Sequence, residues 1–311
     1  MGVRNLNKYL RKNCPKSIKT IHLKELSGKI IVVDASIYIY KFLADDALME
    51  HMYLLISILM NYNIEPIFVF DGKPPVEKNN TICKRKENKK NANIELLELE
   101  DAYKNEQNIK RKKEILFKIK LLKRQTVSVT KKHILNVKEL MDAYGIQYIV
   151  SICEADLLCA HLIENNKAWG CLSDDTDMFV YNCNYVLRDI NILHHTVNLY
   201  DTQNILKEIN INESDFNEIL IISTSEYSHN IDIPISHVIQ LYRKYKKELY
   251  KHGFYVWLLK TTNYIKDYKE LLNVYRIYKT TYTNTSITVN KGKKDINKIK
   301  SIMVNDGFIF V

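Results

Sequence analysis

Short continuous apolar runs alternate with helical patterns through the first part of the chain. Lys29-Ile-Ile-Val-Val-Asp34 and Pro66-Ile-Phe-Val-Phe-Asp71 are rich in β-branched or aromatic residues, and each ends in an acid. Gln147-Tyr-Ile-Val150 and Trp169-Gly-Cys-Leu-Ser173 are two further runs. Runs of this length without polar alternation are the pattern of strands buried on both faces, as in parallel sheets. Helical stretches separate them at 37–44, 48–62, 131–144 and 154–165. The alternation predicts an α/β fold with a mostly parallel central sheet flanked by helices. In such sheets, sites lie beyond the carboxyl ends of the strands, where Asp34 and Asp71 fall. From residue 202 the pattern is helical, at 202–209, 213–223, 234–250 and 266–275. The last 30 residues are poor in signals and are read as a smaller helical part with a closing strand at Gly307 to Val311. The expected division is 1–201 and 202–311.

One segment breaks the pattern. Between Pro75 and Gly145 there is neither Pro nor Gly, and helix formers dominate, so long helices are predicted. Its apolar content is too low for a core of its own, which predicts a helical insertion projecting from the body. Lys84-Arg85-Lys86 and Lys89-Lys90 open it, an acidic turn from Glu95 to Asp101 follows, and Lys110-Arg111-Lys112-Lys113 leads on to Arg124. Residues 73 to 132 carry 18 basic and 8 acidic side chains, so this segment holds the whole net charge of +10. Charge concentrated in this way is the footprint of a polyanion binder.

Composition removes several classes. With 46% apolar residues in 311, the chain can bury a core. The longest mostly apolar run, Met52 to Met60, is about half of the roughly 20 residues a bilayer requires, so no membrane span is expected. The basic N-terminus has no apolar stretch after it of the secretory kind, and Leu6 stands where a myristoylation signal has Ser or Thr. The six cysteines contain no CxxC pair, which argues against zinc and for reduced thiols in an intracellular protein, nuclear or cytoplasmic. Eight glycines form neither a Walker A loop nor a dinucleotide fingerprint.

The acids at strand ends and at the helix starts after them are Asp34, Asp71, Glu154, Asp156, Asp174, Asp175 and Asp177. Glu154 and Asp156 frame one residue, as do Asp175 and Asp177, so each pair can aim two carboxylates at one point. Crowded carboxylates raise one another's pKa unless cations sit among them. Oxygen-only ligation selects hard ions, Mg²⁺ with Mn²⁺ as a substitute, over zinc. Each acid taken alone can equally cap a helix. A basic clamp beside carboxylate-held ions suits phosphodiester hydrolysis, in which two metals about 3.5–4 Å apart activate a water and stabilise both the attacking and the leaving oxygen of an in-line displacement.

These residues carry a resemblance. Met1-Gly-Val-Arg-Asn-Leu6, Val33-Asp-Ala-Ser-Ile-Tyr-Ile-Tyr40, Val69-Phe-Asp-Gly-Lys-Pro-Pro75, Val129-Thr-Lys-Lys-His133, Glu154-Ala-Asp156 and Asp174-Asp-Thr-Asp177 follow in order at compatible spacings. Over about residues 1 to 231 the chain resembles the flap endonuclease / XPG family of structure-specific 5′ nucleases, with a PIN-like fold. The resemblance implies a metal-dependent flap endonuclease or 5′ exonuclease holding two Mg²⁺ ions. It would act on DNA with a 5′ flap, gap or broken end in replication, repair or recombination. It assigns Asp34, Asp71, Glu154, Asp156, Asp175 and Asp177 as metal ligands. Lys78 and Arg85 become the arch residues that contact the scissile phosphate, and their spacing of two helical turns puts them on one face. Tyr40 would stack on a base, and Gly2 would lie near the junction. Residues 78–130 would be the helical arch, with Lys84, Lys86, Lys131 and Lys132 as further DNA contacts.

The sequence also departs from the family. Ser223-Thr-Ser-Glu226-Tyr227 stands where Leu-Gly-Ser-Asp-Tyr is expected, so Glu226 would be a longer ligand and Thr224 replaces a glycine. The glycine hairpin that binds the DNA backbone reads Asp232-Ile-Pro-Ile235, with no glycine between Gly170 and Gly253. A backbone nest for phosphate needs residues that take positive φ without cost, so the duplex-binding helix–hairpin–helix is degenerate. No sliding-clamp-binding motif stands near the C-terminus. These losses and the Asn-, Ile-, Lys- and Tyr-rich composition resemble the divergent members encoded by large DNA viruses, which would place the protein at a viral replication site. A non-catalytic DNA-binding scaffold and an RNA-directed nuclease on the same fold remain open alternatives.

Overall fold

The computed structural model describes residues 2–223, 233–280, 282 and 292–310. The strands are β1 (Ile18–His22), β2 (Ile30–Asp34), β3 (Glu65–Phe70), β4 (Gln147–Val150), β5 (Gly170–Leu172), β6 (Tyr185–Asn191) and β7 (Thr196–Asp201). The α-helices are α1 (Leu6–Asn13), α2 (Ala35–Ala44), α3 (Leu48–Asn61), α4 (Asn79–Asn105), α5 (Ile109–Thr126), α6 (Lys131–Tyr144) and α7 (Ala155–Glu164). They continue with α8 (Asp177–Val180), α9 (Thr202–Ile209), α10 (Glu213–Ser223), α11 (Ile235–Lys247), α12 (Phe254–Thr261), α13 (Tyr268–Lys279) and α14 (Ile296–Asn305).

The strands form one seven-stranded sheet in the order β1-β7-β6-β5-β2-β3-β4. β2 pairs in parallel with both β3 and β5, and β5 with β6. β7 runs antiparallel to β6 and β1. Its members follow the burial expected of their sequence: Ile31, Val32 and Val33 are fully buried, as are Phe68 and Val69.

The described residues fall into two compact units. One draws on Met1–Asp34, Ser57–Lys73 and Tyr148–Val289, the other on Ala35–Ile56, Pro74–Gln147 and Asn290–Val311. In the first, the sheet's apolar residues share one core with helices on either side of residue 202, from Leu6, Leu158 and Phe179 to Phe216, Val238, Trp257 and Leu271.

In the second unit, α4 and α5 form a hairpin that buries only Ala92, Ile119 and Leu122. Lys123–Glu100 at 3.1 Å and Lys89 Nζ to the Val127 carbonyl at 2.6 Å tie it together. The turn expected at Glu95 to Asp101 lies inside α4, because nothing there breaks a helix. The reversal comes at Glu106–Asn108, where Asn108 caps α5 by accepting from the Lys110 and Arg111 amides. The C-terminal expectation is also corrected. Residues 307–310 form no strand; α14 precedes them, and Phe308 and Phe310 pack on Tyr53, with ring centroids 5.4 and 5.9 Å away. Alternation cannot separate a strand from a tail anchored by two aromatics.

Candidate metal centre

The centre of the sheet sets the site. β5, β2, β3 and β4 are consecutive neighbours, and the acids follow from their ends. Asp34 closes β2, Asp71 follows β3, Glu154 and Asp156 follow β4, and Asp175 and Asp177 follow β5.

The chain after β5 is folded by its own polar side chains. The Asp175 amide donates to Ser173 Oγ at 3.1 Å, and the Asp177 amide donates to Asp175 Oδ1 at 3.1 Å. Side chains that accept from the backbone two residues on make compact turns of this kind. Ser173 Oγ also reaches Asp34 Oδ2 at 3.3 Å, joining β5 to β2. The N-terminal segment closes over the turn: the Val3 amide donates to Thr176 Oγ1 at 2.7 Å. Gly2 has φ +78°, and a Cβ there would stand 2.3 Å from Asp175 Oδ1 and 2.7 Å from Asp177 Oδ1. Beneath the turn, buried Arg188 donates from Nη2 to the Asp174 carbonyl at 2.5 Å, and the Asp189 amide donates to Asp174 Oδ1 at 2.7 Å.

Asp156, Asp175 and Asp177 each offer a carboxylate oxygen, and the three atoms lie within 4.8 Å of one another. Burial, then the charges of Asp34, Asp175 and Asp177, push the Asp156 carboxyl well above the ordinary range. A carboxyl pushed up first by burial and then by neighbouring carboxylates is one whose charged form a cation among them would favour.

Asp71 occupies a different position. Its Oδ1 accepts the Ala155 amide at 2.9 Å, so it caps α7, while Glu154, the N-cap residue itself, makes no side-chain cap bond. The compact trio therefore contains three of the predicted ligands. Asp34 stands against it electrostatically, and Asp71 and Glu154 lie at the start of the helix that carries Asp156. Glu226, Thr224 and Asp232 lie outside the described residues.

Of the predicted DNA contacts, Gly2 lies in the first unit, beside the acid turn, and the others lie in the second. Tyr40 in α2 is 51% exposed. Lys78 precedes α4, with Lys84, Arg85 and Lys86 exposed along its first turns, and Lys131 and Lys132 open α6. Four contributors were not singled out from sequence: Ser173, Thr176, Arg188 and Tyr278, whose hydroxyl donates to Asp177 Oδ2 at 3.1 Å. Ser173 and Thr176 border the acid motif. Arg188 and Tyr278 carry no local signal.

A strand-end carboxylate cluster beneath an N-terminal glycine, on this sheet order, defines the class. The XPG N-terminal domain matches residues 1–92 and the XPG I-region matches residues 145–226. The chain belongs to the flap endonuclease / XPG family. Flap endonuclease 1 of Debaryomyces hansenii is 29% identical over 251 residues, covering 74% of this chain and 63% of that protein. The chain thus spans less than two thirds of this relative's length. Among solved structures, the catalytic core of Rad2 in complex with DNA substrate superposes with a TM-score of 0.68 at 24% identity, covering 99% of this chain and 95% of the other. The Holliday junction-resolving enzyme GEN1 in complex with product DNA and Mg²⁺ gives 0.63 at 15% identity, over 98% of this chain and 73% of the other. Both show the expected PIN-like 5′ nuclease fold, with a mixed, mostly parallel sheet.

Proposed function

We propose that this chain is a Mg²⁺-dependent, structure-specific 5′ nuclease that hydrolyses DNA phosphodiester bonds at a 5′ flap, gap or broken end. The observation that carries the reading is the cluster of Asp156, Asp175 and Asp177 beside Asp34, in a member of this family. The donor set fits Mg²⁺, being all carboxylate oxygen with no thiol or imidazole in the trio. Asp34, Asp71, Glu154, Asp156, Asp175, Asp177 and Glu226 would hold two ions. When bound, they supply Lewis acidity and an activated water. Lys78 and Arg85 bring positive charge to the scissile phosphate, and Gly2 leaves room at the junction. Exposed Tyr40 offers a ring for base stacking, and the 78–130 segment holds the polyanion with Lys84, Lys86, Lys131 and Lys132.

The test is incubation with a 5′-labelled flap duplex and Mg²⁺, with EDTA and Mn²⁺ arms and a matched RNA flap. Cleavage of the DNA flap that EDTA abolishes supports the reading. Tight binding with no cleavage in either metal would favour a scaffold, and preference for the RNA flap would change the substrate class.

The two basic groups at the start of the arch are distinguishable from the rest. Lys78→Ala and Arg85→Ala are expected to slow single-turnover cleavage by about 10²-fold or more, the scale for losing a donor to developing charge, with Kd for the flap changed by less than about threefold. An equal loss in rate and binding would reduce them to backbone contacts. Neutralising Lys110, Arg111, Lys112 and Lys113 to Gln should instead weaken binding. It should also lower the slope of log Kd against log salt by up to about 3–4, at roughly 0.9 for each phosphate no longer neutralised. An unchanged slope would remove this run from the DNA interface.

A further inference from the structure

We propose that Tyr278 is a positioning residue of the metal centre: its hydroxyl fixes the Asp177 carboxylate, so that α13 helps to set metal affinity. The inference rests on reading the acid cluster as a metal site.

Tyr278 lies in the last turn of α13 and is 5% exposed; Asp177 is 2% exposed. The phenol donates to Asp177 Oδ2 at 3.1 Å within the buried interior. The backbone of Asp177 is also held. Its amide is bonded to Asp175 Oδ1, and its Oδ1 stands 2.7 Å from where a Cβ on Gly2 would lie. The two carboxylate oxygens therefore face different parts of the chain. Oδ1 looks to the N-terminal glycine, and Oδ2 is taken by a helix near the other end of the sequence. A hydrogen bond to one oxygen of a carboxylate sets the plane of the group and so the direction of its other lone pairs. Partners of this kind orient metal ligands, and losing one typically costs about 10- to 100-fold in metal affinity. An ionised acceptor also makes this bond stronger than one between neutral groups.

A buried tyrosine hydroxyl needs some partner, but an acid is not required for that. Tyr255, also buried in the same unit, satisfies its hydroxyl on the Glu218 backbone carbonyl at 3.1 Å. Tyr278 spends its single donor on an oxygen of a residue in the acid trio. The ring is held for this task. Tyr181 packs against it with centroids 5.2 Å apart, and Leu271 and Val274 seat α13 in the core. Asp267 caps the helix by accepting from the Lys269 and Glu270 amides.

The experiment measures Mn²⁺ binding to the DNA-free protein by calorimetry and by electron paramagnetic resonance. It compares the wild-type protein, Tyr278→Phe and Tyr255→Phe, with thermal unfolding in EDTA. Each variant removes one hydroxyl and keeps the ring. Tyr278→Phe is expected to bind Mn²⁺ about tenfold more weakly, at the lower end of the effect of losing a ligand's hydrogen-bond partner, and to show an altered Mn²⁺ spectrum. Tyr255→Phe should bind as the wild type does, although both lose a similar amount of Tm. With substrate, Tyr278→Phe should need more Mg²⁺ for half-activation and recover its rate when Mg²⁺ saturates.

Unchanged Mn²⁺ affinity in Tyr278→Phe, or an equal fall in Tyr255→Phe, would overturn the proposal. So would a wild-type protein that binds no Mn²⁺, which would overturn the metal reading with it. Wild-type protein that cleaves nothing, yet binds Mn²⁺ with an affinity that depends on Tyr278, would sink the nuclease reading and leave this inference standing.

Discussion

Asp175→Asn is expected to lower flap cleavage by at least about 10³-fold, equivalent to about 4 kcal/mol of transition-state stabilisation, while the flap duplex still binds. The substitution is chosen because the amide keeps the size of the carboxylate and one acceptor oxygen. That oxygen can still receive the Asp177 amide, which the structure places 3.1 Å from Asp175 Oδ1. The turn after β5 therefore retains its shape. What disappears is one negative charge in the trio of ligand atoms that lie within 4.8 Å of one another. Two further measurements separate this account from misfolding. Thermal unfolding in EDTA should be unchanged or slightly raised, since removing a charge relieves part of the repulsion that adds to burial in pushing Asp156 above its ordinary range. Mn²⁺ binding should weaken in the same preparation. A variant that cleaves within tenfold of the wild type would place the chemistry elsewhere.

Gly2→Ala should show the second large effect, a fall in cleavage of about 10- to 100-fold with DNA affinity little altered. Two causes combine at this residue. Its φ of +78° lies in the left-handed region, which costs an L-residue roughly 1–2 kcal/mol. The added Cβ would also stand 2.3 Å from Asp175 Oδ1, 2.4 Å from Thr176 Oγ1 and 2.7 Å from Asp177 Oδ1. Either the N-terminal segment leaves, breaking the 2.7 Å bond from the Val3 amide to Thr176, or the acid turn shifts. Both routes disturb two carboxylates of the trio. Gly28 supplies the control. It has φ +77°, but a Cβ there meets nothing within 4 Å. Gly28→Ala should cost stability and leave cleavage per folded molecule intact. Equal losses of activity in the two variants would reduce the effect at Gly2 to backbone strain.

The strands and helices that carry the acids were readable because their signals are local. β2 and β3 are apolar runs that end at or just before an acid, and α6 and α7 begin and stop within a few residues of the predicted bounds. The antiparallel part of the sheet was not readable in the same way. β6 contains Arg188 and Asp189 within Tyr185-Val-Leu-Arg-Asp-Ile-Asn191, and β7 mixes polar with apolar positions. Their strand character comes from pairing: β6 lies between β5 and β7, and β7 between β6 and β1. The acidic stretch Glu95 to Asp101 looked like a turn by charge, but nothing in it stops a helix, and the backbone runs on to Asn105.

The sequence by itself determined where the carboxylates stand, at strand ends and in pairs one residue apart, and where the positive charge is concentrated. Both are properties of neighbouring residues, set by side-chain type and by the two-residue and 3.6-residue periods of the backbone. Tertiary structure alone decided what those carboxylates touch. Ser173 meets Asp34 across 139 positions, Thr176 meets Val3 across 173, and Asp177 meets Tyr278 across 101. Nothing in the residues around Tyr278 distinguishes it from the other tyrosines among the 21 in the chain. Its role arises because sheet order and the packing of α13 bring one phenol to one carboxylate. Contacts of that kind depend on the whole folded chain, which no window of sequence contains.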